Sequence, residues 1–304
     1  MQTTINDNAL FDLGGLTNYL FTKWKWFLIF GFGFAIIFAI ISSYLPNKYT
    51  AETSLVAAES AMGAMDGLNS QLGGLASFAG LNLNSGKDKT VLALQILKSR
   101  QFLISFVKKN HLEQALFAVS SWDAKQDEYL YNQEKYNIST NKWLPRSDQP
   151  GTYYPTDLEI FEEMNSLIAV QVDKANQVTK VMLTYYNPAK AQQWLTLLID
   201  TLNNTMRIND IKEKEDQITF LQQQLNLEKN NEIRNVFYAL IEEQLKSSTL
   251  AKARKEYVFR IIDPALFPEE KSSPKRALNT VLGGLVGGVF CFIFFALRFI
   301  FRSK

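Results

Sequence analysis

Reactive and metal-binding side chains are scarce in this chain of 304 residues. It has one histidine, His111, and one cysteine, Cys291. A lone cysteine excludes an intramolecular disulfide and every multi-Cys zinc or iron–sulfur centre, and a lone histidine excludes His-rich metal sites. No metal and no cofactor is therefore expected. His111 follows Lys108 and Lys109 and reads as a helix C-terminal residue. The acidic pairs Glu162-Glu163 and Glu242-Glu243 read as solvated helix faces, not as acid–base couples. No Walker A loop, H-E-x-x-H or G-x-S-x-G pattern occurs, and the glycine pairs at 73–74, 283–284 and 287–288 do not fit a dinucleotide-binding turn. No catalytic residue is expected, and the chain reads as non-enzymatic.

What remains is the chemistry of non-covalent contact. Gly283, Gly284, Gly287 and Gly288 form two overlapping G-x-x-x-G registers inside an apolar stretch. Small residues four apart let membrane helices approach closely, which makes these four candidates for helix packing or for contact with a membrane partner. The competing account is that glycine is simply frequent in membrane helices. The run DPALFPEEKSSPKRALN (263–279) carries Pro264, Pro268 and Pro274, which cannot continue a helix or a central strand. It reads as a stiff linker whose end, Ser273, Pro274, Lys275 and Arg276, meets the membrane and sets the angle of the domain before it. Residues 60–86 are crowded with Gly, Ala, Ser, Met and Leu. They read either as a loop with short helical turns or as a small-residue surface, including Gly73, Gly74 and Gly80, that packs on a neighbouring copy.

The elements around these residues are set by two uncharged stretches, 26–45 and 277–297. Each is about 30 Å long as a helix, the thickness of a bilayer core. Between them, residues 46–276 hold 27 Lys+Arg and 28 Asp+Glu. This polar middle cancels the apolar ends, which is why the whole chain averages to a net charge of +2 and a mean hydropathy of −0.10. A balance so near zero argues against nucleic acid as a partner. The first apolar stretch is too long and too far from the N-terminus for a cleaved signal peptide. Two spans put both termini on one side. Lys and Arg near the spans are almost balanced, but long loops translocate largely regardless of charge, and Trp24 and Trp26 fit an interfacial belt. Both tails are therefore placed in the cytoplasm and the loop outside.

The expected division is a cytoplasmic tail (1–25), a first span (26–45), an α/β base (46–187), a long helical arm with its return helix (188–257), a returning strand with the Pro-rich linker (258–276), a second span (277–297) and a tail (298–304). Residues 48–58 read as a strand. One amphipathic helix is expected over 88–110, with Leu92, Ile96, Phe102 or Leu103, Phe106 and Val107 on one face. Short or irregular elements follow to 156, then a short helix over 157–165. The runs 166–173 and 177–186 read as a hairpin. Asn187-Pro188 opens a helix reaching about Lys229, with Trp194, Leu198, Leu202 and Met206 along its start. Farther on, Ile211, Ile218 and Leu225 are seven apart, a coiled-coil spacing that makes them candidate oligomer contacts. A second helix, 233–257, presents Ile233, Phe237, Leu240, Ile241 and Leu245. Residues 257–263 read as a strand that returns beside the first.

Four segments together resemble the chain-length determinant family, the Wzz-type polysaccharide co-polymerases: FDLGGLTNYLFTKWKWFLIF (11–30), SQLGGLASFAGLNL (70–83), the long helix with its shorter return, and LFPEEKSSPKRAL (266–278) running into a Gly-rich span. Pro268, Ser273, Pro274 and Arg276 fall on the family's C-terminal pattern; Glu269-Glu270 departs from it, being acidic where some members are basic. The resemblance implies an α/β membrane protein of the bacterial inner membrane, with a periplasmic base and an extended helical hairpin. It implies a ring-like homo-oligomer that controls the length of O-antigen or a related surface polysaccharide, with a Wzy-type polymerase as partner beside membrane lipid. Glycan contact, where present, is expected to be weak and spread over Trp122, Tyr129, Tyr131, Trp143 and Tyr154, whose alternative use is packing. The sequence ends seven residues after the second span, so no cytoplasmic kinase domain is expected. A transmembrane adaptor of a capsule-synthesis tyrosine kinase and a two-span sensor or channel component are the alternative readings.

Overall fold

The computed structural model describes residues 22–58, 85–145 and 154–302. The chain divides into two units, one made of 1–47 with 271–304 and the other of 48–270. The first unit contains two helices long and apolar enough to cross a bilayer, α1 (Trp24–Tyr44) and the C-terminal helix (Arg276–Arg302), packed on each other.

The second unit is mixed α/β. Its elements are β1 (Tyr49–Ala57), α2 (Ser85–Leu97), α3 (Arg100–Lys109), α4 (Glu113–Phe117), β2 (Val119–Asp123), β3 (Glu128–Tyr131), β4 (Tyr136–Asn137), β5 (Lys142–Trp143), α5 (Asp157–Leu167), β6 (Ile168–Asp173), β7 (Val178–Tyr185), α6 (Pro188–Leu227), α7 (Asn231–Ala253) and β8 (Phe259–Asp263). The C-terminal apolar helix is α8. Four strands form one antiparallel sheet in the order β6-β7-β1-β8. The returning strand does lie beside the first, pairing Leu55 with Ile261 next to a bulge at Ser54/Leu55. Two small hairpins, β2–β3 and β4–β5, stand apart from this sheet.

Period-two alternation puts Val181, Leu183 and Tyr185 of β7 in the core with Ala51 and Leu55 of β1. The start of α6 covers them with Trp194, Leu195, Leu198, Ile199, Leu202 and Met206. That helix begins as its residues dictate: the Asn187 side chain accepts the Lys190 N–H, and Pro188 occupies the first turn. Helix α5 begins with a capping box in which Thr156 and Glu159 satisfy each other's backbone N–H. The T-x-x-E spacing carries this signal.

The single amphipathic helix expected over 88–110 is two helices bent by 60°. Ser99 has extended backbone and its hydroxyl accepts the Phe102 N–H, so it caps a new helix instead of continuing the old one. The bend lets both Leu97 and Phe102, Leu103, Phe106 and Val107 enter the core, while Leu92 stays about half exposed. In α7 the expected face is covered in part, with Phe237 and Leu240 half-buried. Ile241, Ser248 and Ala251 are buried, whereas Ile233 and Leu245 are exposed. His111 follows α3 with φ 52°, the left-handed position after a helix end.

Candidate functional site

Among the described residues, no group of three His, Cys, Asp or Glu side chains converges on a point that could hold a metal ion. The residues singled out by sequence instead sit at three contact zones.

The first is the α1–α8 pair. A Cβ built on Gly283 would stand 2.6 Å from the Phe38 side chain, and one on Gly287 would stand 2.5 Å from the Phe30 carbonyl oxygen. These two glycines are where α8 accepts ring and backbone of α1. Gly284 makes ordinary contact, 3.6 Å from the Gly31 carbonyl oxygen, and Gly288 meets nothing within 4 Å. The four glycines thus divide: two are closed by packing inside the chain, one is in ordinary contact and one is open. Phe30 and Phe34 lie against Phe290, and Trp26 lies against Phe295. At the other end of the pair, the Asn279 amide donates to the buried Ser42 hydroxyl at 3.1 Å. A polar tie in an otherwise apolar pair adds attraction that apolar side chains in lipid do not supply.

The second zone is the linker. Residues 264–270 belong to the sheet-containing unit, and its start is held down there. Ala265 is buried and its carbonyl accepts the Gln192 amide at 2.7 Å, while the Leu266 N–H donates to the Glu52 carbonyl at 3.3 Å. In the apolar unit Pro274 is buried and follows a cis peptide bond, Lys275 is exposed, and Arg276 opens α8.

The third zone is the α6–α7 hairpin. Ile218 and Leu225 are buried and Ile211 is half-buried, with α7 packed antiparallel on this helix. Two residues of the seven-residue spacing, Ile218 and Leu225, are therefore already buried within the chain. Polar ties run along the hairpin. Lys252 pairs with Glu215 at 2.8 Å, and Arg234 donates to the Leu225 and Glu228 carbonyls at the end of α6. At the root, the Tyr257 hydroxyl donates to Asp210, which also faces Lys214 at 3.0 Å and Lys89 at 3.6 Å. Burial pushes the Asp210 carboxyl up, but the Tyr257 hydroxyl and the two lysines outweigh it and hold the group below the usual carboxylate range. The Tyr257 hydroxyl is pushed up by burial and by that same carboxylate.

Gly73, Gly74 and Gly80 lie outside the described residues. The aromatic residues fall on the small hairpins and their flank, where they pack on one another: Tyr131 on Tyr136, Tyr136 on Trp143, and Trp143 on Tyr154. Trp122 is fixed by donating to Asp127 and by edge contact with Tyr49. No signal in the spacing of these residues announced the small hairpins.

Compared with known proteins, the chain matches the family model described as "Chain length determinant protein" over residues 9–110. It matches the one described as "G-rich domain on putative tyrosine kinase" over residues 219–300. The first match takes in α1, β1, α2 and α3; the second takes in the end of α6, α7, β8, the linker and most of α8. Similar solved structures include a full-length bacterial polysaccharide co-polymerase, at 15% identity with 96% of this chain and 99% of that chain covered and a TM-score of 0.35. Another is a fragment of WzzB, a polysaccharide co-polymerase from Salmonella Typhimurium, at 13% identity with 75% and 100% covered and a TM-score of 0.32. No curated protein matches the chain.

Proposed function

The chain belongs to the chain length determinant family, and on that premise we propose that it is a non-enzymatic regulator of surface polysaccharide chain length. In this reading it is an oligomeric, ring-like scaffold in the bacterial inner membrane, serving a Wzy-type polymerase that extends O-antigen or a related exopolysaccharide. The observation that carries the reading is the pair of family matches, which between them take in both apolar helices, the return helix and the Pro-rich linker. Both tails lie in the cytoplasm and residues 46–276 in the periplasm, divided as an α/β base (46–187), a helical arm and return helix (188–257) and a strand with linker (258–276). Ser42–Asn279 and the two closed glycines support a pre-paired α1–α8 unit. The polymerase contact then falls on the Gly288 side, the part of the glycine face that α1 leaves open.

The test is a gel of lipopolysaccharide and exopolysaccharide chain lengths in a deletion strain. The expected result is loss of the modal length in favour of an unregulated distribution; an unchanged ladder would sink the reading. The match over 219–300 favours a second reading, an adaptor of a capsule-type tyrosine kinase. That reading predicts that deletion abolishes capsule together with tyrosine phosphorylation of the kinase and leaves the lipopolysaccharide ladder as it was.

A further inference from the structure

We propose that the polar cleft beside the hairpin root, between α6, the 254–258 turn and β8, binds a short acidic segment of glycan; this rests on the reading of the chain as a regulator of polysaccharide length. The cleft measures about 510 Å3. That lies within the size class of small-ligand sites, roughly 300–1,000 Å3, and has room for a few sugar atoms at a time rather than a folded partner.

Its back wall is rigid. Asn203 is 3% exposed, and its side-chain oxygen accepts the N–H groups of Val258 and Phe259 at 3.0 and 2.9 Å while its amide donates to the Phe259 carbonyl at 3.0 Å. All three bonds reach the start of β8, so α6 and β8 are pinned together along one wall of the cleft. A wall already ordered before binding costs a ligand less entropy than one that must be ordered by it.

Its rim is chemically mixed. Asp200 lies one turn before Asn203 on α6, Lys255 and Glu256 are on the turn, and Arg260 is on β8; all four are exposed. Sugar hydroxyls both donate and accept, so they are matched by carboxylates interleaved with cations. A purely cationic rim would suit phosphate, and an apolar one an acyl chain. Ile261, half-buried, offers an apolar spot for the C–H face of a ring. Arg254, Lys255 and Arg260 outnumber Asp200 and Glu256 by one, which favours a sugar bearing a carboxylate over a neutral one. Glu256 is itself oriented, accepting the Ile261 N–H at 3.3 Å. A second groove, about 740 Å3 along the hairpin, sets Lys212 against Glu213 and Asp216 beside Phe220, Leu221 and Leu240; its carboxylates outnumber its cations, which does not suit an acidic sugar.

The test uses the full chain in lipid nanodiscs, with tetragalacturonate, maltotetraose and inorganic phosphate as probes. Saturation-transfer NMR should show tetragalacturonate bound and maltotetraose at least tenfold weaker. The double variant Lys255→Ala with Arg260→Ala should weaken tetragalacturonate at least tenfold, and Asp200→Asn severalfold. Its side chains are exposed, so an unchanged thermal midpoint is the expected folding control. Binding that is unaltered in these variants, equal binding of the neutral sugar, or displacement by equimolar phosphate would each overturn the proposal. In cells the double variant should broaden the polysaccharide ladder. A wild-type ladder from that variant beside a lost ladder in the deletion strain would overturn the cleft and leave the proposed function standing. An unchanged ladder in the deletion strain would overturn the function itself.

Discussion

Gly287 sits so close to the Phe30 carbonyl that a methyl group has no room, since an added Cβ would stand 2.5 Å from that oxygen. Backbone cannot move aside as a flexible side-chain tip can. Gly287→Ala is therefore expected to force α1 and α8 apart and to destabilise the pair by about 1–3 kcal/mol. Gly288→Ala, which meets nothing within 4 Å, should leave it unchanged. Thermal melts of the two variants in detergent check this, and equal midpoints would contradict the packing role. Asn203 is the other residue whose loss is sharply defined. Asn203→Ala leaves two N–H groups and a carbonyl at the start of β8 without their partner, at a cost of about 3 kcal/mol. The melting midpoint should fall by several degrees. The glycine quartet was visible in the sequence. Which glycines α1 fills was not, because that depends on the rotation of one helix against another. Asn203 carried no signal at all, since an asparagine in a polar helix looks solvated until the strand it holds is known.

The helices and main strands follow from local residue chemistry: Asn187-Pro188 starts α6, and alternation marks β7. Periodicity gives way where a local cap overrides it, as at Ser99, and the edges of a face are trimmed by its partner, as at Ile233 and Leu245 of α7. The seven-residue spacing of Ile211, Ile218 and Leu225 shows the same limit. Spacing says that a stripe will be covered, not whether the same chain covers it. At the hairpin root the ion cluster makes a pH prediction. The Asp210 carboxyl is held below its ordinary range by Tyr257, Lys214 and Lys89. Its contribution is therefore fully present above the ordinary carboxylate pKa, about 4, and is lost as pH falls through the lowered value. Melting midpoints followed from about pH 5 to about pH 2 should drop, and Asp210→Asn should remove that part of the drop. An identical acid profile in the variant would show that the cluster adds no linkage.

On the scale of the molecule, the premise of an oligomeric scaffold predicts that full-length protein purified in mild detergent sediments well above the 34.7 kDa of one chain. A strictly monomeric species would count against the ring. Since Ile218 and Leu225 are covered by α7, Ile218→Asp should open the hairpin, seen as lost protease resistance, before it acts on assembly. The sequence by itself determined that the chain has two apolar helices of bilayer length, a charge-balanced middle, a long uninterrupted helix with a return, and a strand closing on the first. These follow from hydrophobic length, Gly and Pro placement and periodicity, all of which act over a few neighbouring residues. Only the tertiary structure decided which glycines pack, which stripe is sealed, where Asn203 pins the sheet and where a polar cleft remains. Those depend on residues of different elements brought together in space, as Asn203 and Phe259 are across 56 positions, and no local pattern records such a meeting.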